Sequence, residues 1–170
     1  MKKETQPIDM KAQIAFGKKA LNEIRILVKM RPDRVVINGK QYLEFCDWQI
    51  LGSFFGITAF VEWTKEITEE VPSKEIEGLT FKKTIGFLAR ARAIKDGEVI
   101  SAAEAECMLD EPNWKNKPRF QARSMAETRA CARVLRQVLQ WIVKLPTEKG
   151  PSEFAEESRE ELTFNNGQEY

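Results

Sequence analysis

Small apolar residues alternate with charged ones along two neighbouring stretches, and this pattern constrains the fold more than any other feature. In residues 79–95, Ala89, Ala91 and Ala93 occupy one face of a strand, while Arg90 and Arg92 occupy the other. The next stretch continues the small face with Val99, Ala103, Ala105 and Cys107. A face this rich in alanine lets another backbone approach closely, so the sequence predicts antiparallel strands with a helix lying against them.

The turn between these strands carries glycine where a left-handed residue is needed. We read Lys95-Asp96-Gly97 as a three-residue hairpin loop. A two-residue loop would reverse the face of one strand and bury Glu104 and Glu106, because side chains alternate between faces. The sequence therefore predicts the longer loop.

The preceding residues predict a helix, a hairpin, a second helix and a strand. Apolar residues recur at helical spacing over residues 8–30, and Asn38-Gly39 between β-prone runs indicates a hairpin. Asp47 is expected to cap a short helix that stops at Gly56. A half-buried strand follows over 57–69, with one face formed by Ile57, Ala59, Val61, Trp63 and Ile67.

The longest predicted helix spans residues 119–144 and carries two stripes. At 100° per residue its core stripe consists of Thr128, Cys131, Ala132, Leu135, Val138, Leu139 and Ile142. Arg129, Arg133 and Arg136 form a second line on the same helix. The predicted fold is therefore α+β, with an antiparallel sheet (a hairpin plus a three-stranded meander) packed against a long C-terminal helix, and with an N-terminal helix in front.

Composition excludes several kinds of chemistry. The chain has no histidine, which rules out Ser-His-Asp catalysis and histidine-ligated zinc, and it has no glycine-rich phosphate loop. We therefore expect neither an enzyme nor a bound cofactor or metal. Three widely spaced cysteines, Cys46, Cys107 and Cys131, are expected to be small buried residues. No apolar run is long enough to span a bilayer, so we expect a cytoplasmic protein without a membrane partner.

The net charge of +1 conceals an asymmetry. Residues 147–170 contain seven acids and two bases, a net charge of −5, which leaves +6 for residues 1–146. The sequence predicts one folded domain over 1–146 and an acidic, disordered tail over 147–170. The segment from Pro112 to Pro146 contains eight basic residues and a single acidic one, Glu127. This segment is the candidate binding region for an anionic partner.

The arginine line allows two interpretations. Arg129, Arg133 and Arg136 could contact successive phosphates of one DNA strand, with help from Lys82, Arg90 or Arg92 on the solvent face of the sheet. Alternatively, these arginines could form ion pairs within the molecule, with Glu62 and Glu66 or with Glu104 and Glu106. Trp114 is the one tryptophan placed for a base contact, because its loop is basic. The further candidate DNA contacts are Arg123, Arg119, Lys115, Lys117 and Lys40.

Two segments resemble a known family. Residues 36–42, Val-Ile-Asn-Gly-Lys-Gln-Tyr, and the following helix that ends in Phe54-Phe55-Gly56 resemble the opening of the Rad-fifty-two single-strand annealing superfamily. Residues 124–136 are similar to its last core helix, and phage annealing proteins of the ERF type share a related helix pattern. Arg133 and Arg136 match basic positions of that helix. Ala132 stands where the family has lysine, and Gln41 stands where its hairpin carries an arginine.

The resemblance implies a function without nucleotide hydrolysis. Such proteins form rings or filaments whose basic groove holds single-stranded DNA and lets complementary strands pair, in recombination or repair. For this chain the resemblance implies a phage or prophage annealing protein that acts as a homo-oligomer.

Two other functions remain as alternatives. One is a metal-dependent nuclease that uses Glu104, Glu106, Asp110 and Glu111 with Lys115. The other is a plain single-strand-binding or interaction module, in which the N-terminal helix and the acidic tail recruit partners. In either binding hypothesis the tail could compete with DNA or contact a host protein.

Overall fold

The computed structural model of the chain describes residues 9–146 and Phe154. Its elements follow in the order α1 (Met10–Met30), β1 (Val36–Ile37), β2 (Lys40–Gln41), α2 (Phe45–Phe54), β3 (Ile57–Pro72), β4 (Thr80–Lys95), β5 (Glu98–Met108) and α3 (Arg119–Val143). This order confirms the predicted α+β fold class. The predicted disordered tail, apart from Phe154, lies outside the described residues, and so does Ile8.

The chain divides into two compact units. One contains the described residues of Met1–Phe54 and Leu139–Tyr170, and the other consists of Phe55–Val138. The boundary falls within α3, so the second unit contains the three-stranded sheet and most of that helix. Lys40 belongs to the first unit, whereas the other predicted DNA contacts belong to the second.

In the first unit, α1 begins at a side-chain cap and packs against α2. Asp9 accepts hydrogen bonds from the N–H groups of Lys11 and Ala12 at 3.0 and 3.2 Å. The buried stripe of α1 consists of Gly17, Ala20, Leu21, Ile24 and Val28. A Cβ at Gly17 would lie 3.0 Å from Cδ1 of Leu145, so a larger residue at this position would require the Leu145 side chain to shift.

The β1–β2 hairpin confirms the turn predicted from Asn38-Gly39. Both residues have positive φ, 51° and 75°, as the two-residue turn of a tight hairpin requires. Phe154 is buried and forms an isolated parallel bridge with Gln41. This one described residue of the tail is therefore seated beside β2.

Asp47 does not cap α2 in the predicted way. The helix begins at Phe45, two residues before Asp47, which is buried within the first turn. Its Oδ2 accepts the N–H of Glu44 at 2.8 Å, and its Oδ1 accepts a hydrogen bond from Arg31. Asp47, at position N3, thus accepts the backbone N–H of the N-cap residue Glu44, as the N3 carboxylate of a capping box does.

In the second unit, the sheet has the antiparallel order β3-β4-β5, but the predicted three-residue loop is wrong. Lys95 pairs directly with Glu98, which leaves a two-residue turn at Asp96 and Gly97. A register shift follows in which Ile94 pairs with Val99 and Ala93 with Ser101. This β-bulge compensates for the shorter turn and returns the later small residues to the alanine face.

The bulge also decides which residues share that face. Ala103, Ala105 and Cys107 lie opposite Ala91, Ala89 and Phe87, as predicted. Val99 lies opposite Ile94, so its predicted placement on the alanine face is wrong. Glu104 and Glu106 remain on the exposed side.

A second register shift interrupts β3 between Val61 and Trp63. Val61 pairs with Ala91, whereas Trp63 pairs with Arg90, so Trp63 shares the face of that arginine. The predicted placement of Trp63 beside Val61 is therefore wrong. Thr64 takes the inner position opposite Ala89, and its hydroxyl donates to Glu127 of α3 at 2.8 Å.

The helix α3 covers the alanine face with alanines of its own. Ala122, Ala126 and Ala130 are fully buried, as are Ala89 and Ala91 of the sheet. The predicted core positions Cys131, Leu135, Leu139 and Ile142 are confirmed as buried, whereas Thr128, Ala132 and Val138 are half-buried. The prediction of three buried cysteines holds for Cys107 and Cys131 but is wrong for Cys46, which is exposed.

Candidate nucleic-acid interface

Four basic side chains gather where the β5–α3 loop enters α3. Lys115 and Lys117 lie in the loop and are exposed, and Arg119 and Arg123 occupy the first turns of the helix with side chains 58% and 59% exposed. We call these four residues the basic cluster. The first turn of α3 contains no acidic residue.

The backbone of the loop holds the cluster in place. The N–H groups of Trp114 and Lys115 both donate to the carbonyl of Glu111, at 2.8 and 2.9 Å, and the N–H of Lys117 donates to the carbonyl of Trp114 at 3.0 Å. These successive turns position the two lysines next to the start of α3. Trp114 itself is half-buried, so only part of its ring remains accessible.

The two arginines of the cluster make only exposed ion pairs. Arg119 donates to Glu66 at 3.1 Å and also to the hydroxyl of Thr84, and Arg123 donates to Glu127 at 3.3 Å. Exposed pairs of this kind contribute about 0–1 kcal/mol. Phosphates can therefore compete for both guanidinium groups at little cost.

Arg129, which we predicted to contact phosphate, is engaged in contacts within the molecule. Its guanidinium donates two hydrogen bonds to the carboxylate of Glu111, at 2.8 and 2.6 Å, and one to the carbonyl of Glu106 at 2.8 Å. Its side chain is 16% exposed. This bidentate pair ties the β5–α3 loop to α3, since Glu111 also accepts the N–H of Met108 at 2.7 Å.

The next arginine of the line also contacts β5. Arg133 donates to the carbonyl of Glu104 at 2.9 Å, and its side chain is exposed, whereas that of Arg136 is half-buried. β5 is an edge strand of the sheet, and edge carbonyls need partners. Arg129 and Arg133 thus cover part of this edge by donating to its backbone carbonyls. The ion-pair alternative predicted partners within the molecule, but it predicted the side-chain carboxylates of β5 and not its carbonyls.

Glu111 makes the stability of this loop dependent on pH. Burial acts to raise its pKa, but the hydrogen bonds from Arg129 and Met108 outweigh burial and lower it. Because the unfolded chain then binds the proton more tightly, the pair stabilises the fold above the usual pKa of glutamate. That contribution is lost as the pH falls through the lowered pKa.

We expect Glu111→Gln to lower the free energy of unfolding by about 2 kcal/mol at pH 7, as loss of a charged hydrogen-bonded pair does. The difference from the unsubstituted chain should be smaller at pH 3, below the usual pKa of glutamate, because the contribution of Glu111 is lost as the pH falls through its lowered pKa. Urea unfolding at both pH values measures this, and Glu106→Gln, which removes an exposed carboxylate nearby, is the matched control. An equal difference at both pH values would contradict the assignment.

Arg90 and Arg92 are engaged on the outer face of the sheet. Arg90 donates to Glu62 at 3.0 Å and to Glu104 at 2.8 Å, and Arg92 donates to both oxygens of Glu62. The hydrogen bond from Arg92, followed by those from Arg90, lowers the pKa of Glu62. The ion-pair interpretation therefore describes these two arginines.

Neither of the two remaining predicted lysines belongs to the β5–α3 loop or to α3. Lys82 is exposed on β4 opposite Glu70, and its neighbour Lys83 pairs with Glu69 at 3.3 Å. Lys40 is exposed on β2, in the other unit of the chain. The basic cluster places four exposed bases within nine consecutive residues of the second unit, 115–123.

One further candidate residue was not predicted from the sequence. Phe120, in the first turn of α3, is 66% exposed although it is a large aromatic side chain. Its signal was present in the sequence: it lies between Arg119 and Arg123 and outside the predicted core stripe.

The carboxylates of the nuclease alternative have other partners. Glu104 pairs with Arg90, and Glu111 pairs with Arg129. Among residues 9–146 and Phe154, no group of three or more histidine, cysteine, aspartate or glutamate side chains is arranged to hold a metal ion. No observation on the described residues favours that alternative.

Comparisons of this chain with protein-family models, with curated proteins and with solved structures found no match. In the part of the chain that the structure describes, no helix has the length and apolar character needed to cross a membrane.

Proposed function

We propose that this protein binds single-stranded DNA through the basic cluster at the start of α3 and promotes the pairing of complementary strands without hydrolysing a nucleotide. The observation that carries the proposal is the charge at this helix end. Arg119 and Arg123 lie in the first turns of α3, Lys115 and Lys117 lie just before it, and the first turn has no acid.

The carboxylates of Glu66 and Glu127 pair with the two arginines of the cluster, but its four bases outnumber these two acids. A helix N-terminus carries a partial positive charge, which disfavours added cations and attracts phosphate groups. Aspartate and glutamate are enriched in the first turn of helices, whereas α3 places arginine there. A phosphate backbone would neutralise both the side chains and the helix end, so the cluster is better suited to a bound polyanion than to water.

Contacts with phosphates explain how such a protein could assist annealing. Phosphate contacts position a strand without reading its sequence, so the bases stay available to test a second strand. The resemblance of residues 35–142 to the annealing superfamily, carried by their sequence motifs, also supports the proposal. Because one fold can host many functions, the site carries more weight than the fold.

A strand-pairing assay tests the proposal. Two complementary oligonucleotides, one with a fluorophore and one with a quencher, are mixed with and without the protein, at low and at moderate salt and without nucleotide. We expect faster pairing at low salt and a smaller effect at moderate salt, because counterion release drives the binding. No acceleration at low salt would reject annealing, and binding without acceleration would favour a plain single-strand-binding module.

A further inference from the structure

Phe120 is exposed to an extent that packing within the fold does not explain. It is 66% exposed, more than the next most exposed aromatic side chain among the described residues, Phe81, at 50%. Large aromatic residues stabilise a fold when they are buried, and exposure forgoes that stabilisation. Its position in the first turn of α3, between Arg119 and Arg123 of the basic cluster, leaves its ring accessible to a ligand that the cluster attracts.

The surroundings of Phe120 identify the chemistry of that ligand. Arg123 follows it by three positions and Ser124 by four, so both share its face of α3. Ala122 and Ala126, fully buried, lie on the opposite side. Phe120 therefore points away from the sheet in a region where exposed cations outnumber acids, and a partner with both negative charge and flat apolar surface matches it.

We propose that Phe120 stacks on a base of the single strand whose phosphates contact the basic cluster. This inference rests on the proposed function. Every base presents a π-face, so this contact tolerates any sequence. Stacking also leaves the hydrogen-bonding edge of the base accessible to a second strand. In a duplex the faces of the bases are already stacked on one another, so Phe120 makes the site selective for single strands.

The experiment compares a dT oligonucleotide with an abasic oligonucleotide of the same length, which has the phosphates but no bases. We expect the unsubstituted protein to bind the dT strand roughly tenfold more tightly, within the range measured for one stacked base. Phe120→Ala and Phe120→Leu should bind both strands equally, and Phe120→Trp should restore the preference. The salt dependence should be the same in all of them, because no charge changes.

The outcomes separate this inference from the proposed function. If the unsubstituted protein binds neither strand, the proposed function itself fails. If it binds both strands equally, or if Phe120→Ala keeps the preference, the stacking role is overturned while DNA binding stands. A change in oligomer size of Phe120→Ala in light scattering, with the preference retained, would assign Phe120 to a protein contact and also overturn it. Phe81→Ala, another exposed aromatic of the same unit, is the matched control and should change neither affinity.

Discussion

Replacing Arg31 with methionine is expected to lower the free energy of unfolding by about 3 kcal/mol. Asp47 is 1% exposed and accepts a hydrogen bond from Arg31, which is 29% exposed. Removing one partner of a buried ion pair leaves the other charge without compensation, which costs roughly 3–5 kcal/mol. The lower end of this range applies because the N–H of Glu44 continues to donate to Asp47.

The loss should also depend on pH. Burial raises the pKa of Asp47, although the N–H of Glu44 and the guanidinium of Arg31 act to lower it. Without Arg31 the pKa rises further, so the folded state binds the proton more tightly than the unfolded state does. The Arg31→Met protein should therefore become less stable as the pH rises from the usual aspartate pKa through the raised one.

Urea unfolding at pH 5 and pH 7.5 measures both effects. Arg34→Met is the matched control, because Arg34 is exposed and donates to the carbonyl of Lys29 at 3.3 Å. Replacing both partners, as Arg31→Met with Asp47→Asn, should recover part of the loss because no buried charge remains. A loss below about 0.5 kcal/mol in Arg31→Met, within the range of ordinary surface substitutions, would show that the pair does not stabilise the fold.

Replacing all four residues of the basic cluster with glutamine is expected to weaken binding to a dT oligonucleotide by about 100-fold at low salt. Each cation that neutralises a phosphate of a single strand contributes about 0.7 to the slope of log affinity against log salt. The slope should therefore become shallower by about 3 if each of the four contacts one phosphate. Fluorescence anisotropy over a series of salt concentrations gives both quantities.

The control removes the same charge elsewhere. Lys11, Lys18, Lys19 and Lys74 are exposed, and their replacement with glutamine changes the net charge by the same amount. An equal loss of affinity in this control would mean that overall charge, and not the basic cluster, attracts the DNA. Replacing Arg133 and Arg136 tests the original arginine line, and we expect a smaller effect because Arg133 already donates to Glu104 and Arg136 is half-buried.

The order of elements could be predicted because each depends on short-range physics. Asn38-Gly39 determines a tight turn through residues that tolerate positive φ, and Gly56, with φ of 66°, ends α2 as expected. The alternation of Ala89, Arg90 and Ala91 determines the two faces of β4. Each of these signals lies within a few residues of the element it specifies.

The placement of Trp63 and Val99 could not be predicted from alternation. A register shift in β3 moves Trp63 to the face of Arg90, and the shift near Ile94 moves Val99 away from the alanine face. An extra residue in one strand is recognisable only when its partner strand is known. The two-residue turn at Asp96 and Gly97 could not be predicted for the same reason, because alternation excludes it only in an uninterrupted ladder.

The candidate site could likewise be predicted only in part. The sequence indicated that bases concentrate between Pro112 and Pro146, and the structure places Lys115, Lys117 and Arg119 exposed at the start of α3. It could not indicate that Arg129 pairs with Glu111, because that pairing requires the β5–α3 loop to return to the helix.

Local sequence determined which elements form, where the turns fall and which helix carries the bases, since these follow from periodicity, turn chemistry and charge along the chain. Tertiary structure alone decided which of those bases remain exposed. Arg90, Arg92 and Arg129 form ion pairs with carboxylates that the sheet and the β5–α3 loop bring close to them. The four residues of the basic cluster remain exposed. The sequence gives the position of each charge along the chain. Its neutralisation depends on residues that are distant along the chain and close only in the fold.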